Sequence, residues 1–138
     1  MRVFLDANGL FTAAHNSEGR SAALFTLAPH VECTLHASTH AVTEARRNLE
    51  IKGPEKLRLF ERLVSTLSIE PEASAKALAW AAEQGLPPKD APILAAAARA
   101  RADLLVTGDR AHFGPLYGRR LRGVEIVTPA QALGRLLA

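Results

Sequence analysis

The sequence predicts an α/β fold of three layers, with helices on both faces of a central parallel sheet of about five strands. Three observations carry this. The runs Val3-Phe4-Leu5 and Leu104-Leu105-Val106 are continuously apolar rather than alternating, as in strands covered on both faces. Segments of helical character separate the strand-like runs and supply the crossovers that parallel strands require. Glycine and proline mark the element ends, at Pro29, Gly53-Pro54, Gly85 and Pro87-Pro88. A chain of 138 residues suits one domain over 1–138.

Each element has its own reason. Residues 2–6 read as a buried strand. Asn8 is suited to cap a helix through about Ala14. A helix over 17–27 ends before Pro29, and 31–36 is a weak strand. Ser38 caps a helix from Thr39 to about Lys52, closed by Gly53-Pro54. Pro54 opens the next helix, whose apolar stripe is Leu57, Phe60, Leu63, Val64 and Leu67. A brief strand fits 67–70, and an alanine-rich helix 72–84. Asp90 begins a helix that tolerates Pro92 in its first turn. A strand over 103–107 precedes a loop over 108–122 with one helical turn. The strand 124–127 and a helix over 129–137 complete the chain.

Bulk composition narrows the function. Hydrophobic residues make up 48% and charged residues 22%, ordinary for a globular protein. Cys33 is the only cysteine, so no intramolecular disulfide forms, which suits a reducing cytoplasm. No apolar stretch is long enough to span a bilayer, and the strand-like start does not read as a signal peptide. The net charge is +3, from 17 basic and 14 acidic side chains. That excess reads either as arginine-rich composition or as a surface that meets phosphates.

The aspartates carry the chemistry. There are four: Asp6, Asp90, Asp103 and Asp109. Asp6 ends the first strand, and Asp109 lies just past the end of the strand over 103–107. Ligands of open α/β sheets bind outside the carboxyl ends of the strands. Asp90 begins a helix that leads into that same strand, so it belongs at the same rim. Glu44, about two turns into its helix, is the fourth candidate. Each residue also has a plainer reading: Asp90 as a cap, Asp109 as a turn residue, Glu44 as an exposed helix glutamate. Asp6 resists this best, because a carboxylate ending a buried strand is costly unless paired. Carboxylates converging on one rim repel one another, and hard divalent cations such as Mg²⁺ or Mn²⁺ relieve that repulsion. Two such ions roughly 4 Å apart can clamp a phosphodiester.

The segments VFLDAN, TEARRNL, KDAPILAAA and LLVTGDRAHF, in this order, resemble the PIN domain, a nuclease fold, over nearly the whole chain. The resemblance implies that Asp6, Glu44, Asp90 and Asp109 are both metal ligands and catalytic acids, with Glu50 the alternative to Glu44. Thr107 matches the hydroxyl position before the last acid, and Asn8 and Thr107 would support the ligands. Some relatives carry a further acid three residues after the last one. Here that residue is His112, read as a loop histidine or substrate contact rather than a ligand. The resemblance also implies a Mg²⁺- or Mn²⁺-dependent endoribonuclease, a cytoplasmic VapC-type toxin with an antitoxin partner and a homodimeric state. Arg46, Arg47, Arg110, Arg119, Arg120 and Arg122 are the candidate RNA contacts. A haloacid-dehalogenase-type phosphatase also has an aspartate after its first strand, but needs a second two residues on; Asn8 stands there. A PIN-like module that binds RNA or protein without cleaving it, or a PIN nuclease of RNA processing or DNA, is the remaining alternative.

Overall fold

A computed structural model describes residues 1–138. The elements are β1 (Arg2–Leu5), α1 (Ala7–His15), α2 (Arg20–Leu27), β2 (Thr34–Ser38), α3 (Thr39–Lys52), α4 (Leu57–Val64) and β3 (Ser68–Glu70). They continue as α5 (Ala75–Ala82), α6 (Ala91–Arg99), β4 (Leu104–Val106), α7 (Arg110–Phe113), β5 (Arg120–Leu121), β6 (Val124–Val127) and α8 (Pro129–Leu137). Single 3-10 turns cover Ala28–His30, Pro54–Lys56 and Gly114–Leu116.

The sheet order is β3-β2-β1-β4-β6-β5. Strands β1 to β4 and β6 run parallel, and β5 pairs antiparallel with β6 at the edge. The sheet therefore has six strands rather than about five. The extra strand escapes the sequence because it is two residues long and its turn is unusual. Only Arg122 and Gly123 join β5 to β6, both at positive φ (48° and 82°), the backbone that two-residue hairpins favour. Arginine is a poor signal for that conformation.

Alternation along the strands builds two cores. Val3, Leu5, Leu35, Ala37, Leu104, Val106 and Val127 face one side and meet α1, α2, α3, α4 and α8. Phe4, Leu105, Val124 and Ile126 face the other and meet α5, α6 and α7. The continuous apolar runs are thus read by period two, each residue serving one of two helical layers. In α6, Ala95, Ala96 and Ala97 are all buried, so the helix lies close on the sheet with little side-chain entropy lost.

Two starts differ from expectation. Asn8 does not cap α1. Asp6 does, accepting the Gly9 N–H at 2.7 Å, while Asn8 is exposed in the first helical turn. The helix begins directly off β1, which leaves no residue between strand and cap. Strand β2 is shifted to Thr34–Ser38 because Ala28–His30 and the turn after it take the preceding residues.

The chain leaves β1 in opposite lateral directions, toward β2 and β3 on one side and β4, β6 and β5 on the other. The reversal lies between β1 and β4, whose carboxyl ends are Leu5 and Val106. The crevice at such a reversal is where ligands of this architecture bind.

Candidate metal centre

Four elements bring acids to that crevice. Asp6 follows β1 and Asp109 follows β4. Asp90 stands at the start of α6, which returns from the rim into β4. Glu44 projects from α3, which leaves the rim after β2. Together with Ala7, Asn8, His40, Lys89 and Ile93, these four line one cleft of about 420 Å³. Glu50, nearly two turns further along α3, does not line it. Asp103 is placed at the opposite end of the sheet, where its carboxylate accepts the Arg2 N–H at 2.7 Å.

Asp6 is 4% exposed. Its pKa is raised, first by burial and further by the charges of Asp109 and Asp90; the Thr107 hydroxyl and the Gly9 amide oppose the shift. Asp90 is 7% exposed, and burial raises its pKa against the opposing charges of His112 and Lys89. Its side chain makes no capping bond to α6, so the plain reading of Asp90 as a cap fails. Asp109 does cap α7, accepting the His112 N–H at 3.1 Å, and its own N–H donates to Thr107 Oγ1 at 3.1 Å. Thr107 is buried and thereby fixes the turn that carries Asp109. The Tyr117 hydroxyl donates to the Thr107 carbonyl at 2.7 Å, bracing the same turn from below. Burial, with Asp6 and Asp109 nearby, pushes the Tyr117 pKa up, so it remains a neutral donor. Glu44 is the loose member: its side chain is 51% exposed and lies 3.8 Å from His40 Nε2.

Two cleft residues and one neighbour of the acids were not singled out as ligands from the sequence. Lys89 and His40 line it from either side. His112, expected in the loop, has its Nδ1 2.8 Å from Asp90 Oδ2 and 2.8 Å from Asp109 Oδ2. Neither approach is aligned as a hydrogen bond, and both Asp90 Oδ2 and His112 Nδ1 are buried without a hydrogen-bond partner. A signal existed: His112 follows Asp109 by three residues, the spacing at which a capping residue meets its own helix turn.

The arginines divide. Arg47 and Arg110 are exposed, and Arg110 lines an adjacent cleft with Arg20, Thr12, Asn16 and Ser21. Arg46 is held by Glu61 through two hydrogen bonds of 3.0 and 2.8 Å and lies over Phe60. Arg120 and Arg122 do not belong with the site. Arg120 is paired in register with Glu125, itself level with Leu104 at the start of β4, far from the rim. It bonds Glu125 at 3.3 Å, and Arg122 stacks 4.1 Å over Trp80. Arg119, next to them, is exposed on the same edge of the sheet. Closeness in sequence to Asp109 did not become closeness in space, because the chain crosses to the sheet edge between them.

The donor set fits a divalent cation. Carboxylate oxygens of Asp90 and Asp109 converge on His112 Nδ1, and that nitrogen and Asp90 Oδ2 are buried without a hydrogen bond, a state that is costly unless something else satisfies them. One ligand atom each from Asp90, Asp109 and His112 lies within 4.8 Å of the others.

The sequence matches the family model of the PIN domain over residues 2–111. No functionally curated protein matches it. Its fold is similar to PAE2754 from Pyrobaculum aerophilum, at 19% identity and a TM-score of 0.70, covering 99% of this chain and 96% of that one. It is also similar to VapBC2 from Rickettsia felis bound to a DNA fragment from their promoter (17% identity, TM-score 0.68, 93% of this chain, 98% of that chain). DNA-bound VapBC from Salmonella typhimurium is a third such structure, at 19% identity and a TM-score of 0.66, covering 94% and 98% of the two chains.

Proposed function

The chain belongs to the PIN domain family, and on that premise we propose that it is a metal-dependent endoribonuclease acting as the toxin of a VapBC-type pair. The observation that carries the chemistry is the convergence of Asp6, Glu44, Asp90 and Asp109 on one cleft, with a buried Asp90 oxygen that makes no hydrogen bond. Asp6, Asp90 and Asp109 would hold the ion, with Glu44 lining the same cleft from its exposed position on α3. Bound there, Mg²⁺ or Mn²⁺ supplies Lewis acidity at the scissile phosphate and lowers the pKa of an attacking water.

The chain's own residues do the rest. Two of the acids are fixed before substrate arrives: Asp6 by Gly9, Asp109 by the turn that Thr107 and Tyr117 brace. Such preorganisation spares reorganisation during the reaction. Lys89 gives the cleft a positive wall for a phosphate oxygen. Arg110 and Arg20 extend that charge into the neighbouring cleft, and Arg47 is exposed on α3 one turn beyond Glu44. These contacts confer salt-dependent affinity for a phosphate backbone without reading sequence. Water attack leaves a 5′-phosphate and a 3′-hydroxyl.

The similar VapBC structures support a protein antitoxin as partner, and a second copy of the chain belongs to the same reading. No helix is long and apolar enough to cross a membrane. The test is cleavage of a defined RNA pool with Mg²⁺ or Mn²⁺, with product ends mapped. Wild type should cleave, EDTA should abolish cleavage, and Asp6→Asn should be inactive. Cleavage by Asp6→Asn at the wild-type rate, or cyclic-phosphate products, would sink the mechanism. Cleavage of DNA alone would move the substrate, not the site.

A further inference from the structure

We propose that His112 is a metal ligand through Nδ1, and that this nitrogen turns the site away from Mg²⁺ and toward transition-metal ions such as Mn²⁺. The inference rests on the metal-dependent reading above and sharpens it, because an all-acid centre and a mixed oxygen–nitrogen centre select different ions.

The geometry carries it. Nδ1 lies 2.8 Å from one oxygen of Asp90 and 2.8 Å from one of Asp109. A histidine that served only as a counter-charge between two carboxylates would point its N–H along one of those vectors. It does not, and Nδ1 and Asp90 Oδ2 are both buried without a hydrogen bond. Asp90 itself is 7% exposed, so this unpartnered oxygen is turned into the protein, toward the cluster. An octahedral ion with ligands at about 2.1 Å places adjacent donors about 3 Å apart. The two 2.8 Å approaches have that spacing, and the three donor atoms all fall within 4.8 Å of one another.

The sequence fixes the ring there. Asp109 caps α7 by accepting the His112 N–H at 3.1 Å, so ligand and ligand are tied through one helical turn. Phe113, buried in the core behind, anchors the same turn. The ring is 29% exposed although its Nδ1 is buried, so the nitrogen faces the acids while the rest of the ring meets solvent.

The chemistry of the nitrogen gives the selectivity. Mg²⁺ prefers oxygen ligands and dehydrates reluctantly. Imidazole suits first-row transition ions, whose affinity for nitrogen rises along the series from Mn²⁺. The discrimination is therefore built into residue 112 rather than into the acids.

Pulsed electron paramagnetic resonance of the Mn²⁺-loaded protein reads this directly, through modulation from a directly bound ¹⁴N. Wild type should show it. His112→Ala should lose it and bind Mn²⁺ about tenfold more weakly, with Mg²⁺ affinity changed less than about threefold. His112→Asp should also lose the nitrogen signal and shift preference toward Mg²⁺. His40→Ala, which removes the histidine lining the acidic cleft, should keep it. Unfolding midpoints in EDTA establish that each variant folds. Mn²⁺ binding without nitrogen modulation, or modulation that survives in His112→Ala, overturns the role of His112 while the metal site stands. No Mn²⁺ binding by wild type overturns both this inference and the reading beneath it.

Discussion

Replacing Asp6 by asparagine removes a charge and keeps a shape. The wild-type carboxylate is 4% exposed, with its pKa raised by burial and by Asp109 and Asp90. Without an ion, its ionised form is poorly solvated and faces like charges. Asparagine relieves both. Its side-chain oxygen can still accept the Gly9 N–H, so the α1 cap, worth about 1 kcal/mol, survives. The metal-free variant should therefore be more stable than wild type, by about 0.5–2 kcal/mol, the range of common stabilising substitutions. At roughly 3–5 °C per kcal/mol for a chain of this size, its midpoint should rise by about 1.5–10 °C. An ion at a hundred times its Kd adds about 2.7 kcal/mol to the protein that binds it. Saturating Mn²⁺ should therefore stabilise wild type and largely spare the variant, reversing their order. Scanning calorimetry in EDTA and in Mn²⁺ measures both. If Asp6→Asn unfolds at a lower temperature than wild type in EDTA, the charge is satisfied within the fold and the reasoning fails.

Other outcomes follow from the same structure. Arg110→Ala should weaken RNA binding across sequences and reduce the salt slope by about one, whereas Arg120→Ala and Arg122→Ala should leave the slope unchanged; titrations at several salt concentrations decide. Glu125 is buried, and its hydrogen bonds from Arg135 hold its pKa below the usual carboxylate range. Its stabilisation is full above the unfolded pKa and is lost as pH falls through the folded one. Glu125→Gln should thus lower the midpoint at neutral pH, with the gap to wild type closing in acid. Phe4→Ala, at the centre of the second core, should cost about 3–5 kcal/mol by urea unfolding.

The sequence told most where short-range signals and sheet geometry agree. Val3-Phe4-Leu5 and Leu104-Leu105-Val106 are adjacent parallel strands, as their unbroken apolarity implied. Ser38 caps α3 as its position before a helical run indicated. The rim argument placed Asp6, Asp90 and Asp109 together, since strand ends and returning helix starts must share one edge. Glu44 reached the same cleft, although its own helix face gave little reason for it. What stayed hidden depends on tertiary contact. Asn8 and Asp6 both suit a cap, and only the absence of a linker after β1 selects Asp6. Arg120 and Arg122 sit near Asp109 in sequence, yet Glu125 and Trp80 hold them elsewhere. His112 meets Asp90 across an interface that no local pattern encodes.

The placement of β1 between β2 and β4 also sets a timetable. Asp6 and Glu44 leave the ribosome early, but the β4 neighbour of β1 and its Asp109 come about a hundred residues after Asp6. Domains form as synthesis proceeds from the amino end, and pairings distant in sequence form slowly. Until β4 emerges, β1 has one open edge and the acids have no common cleft. A chain interrupted before that point lacks β4 and Asp109, and with them the shared cleft.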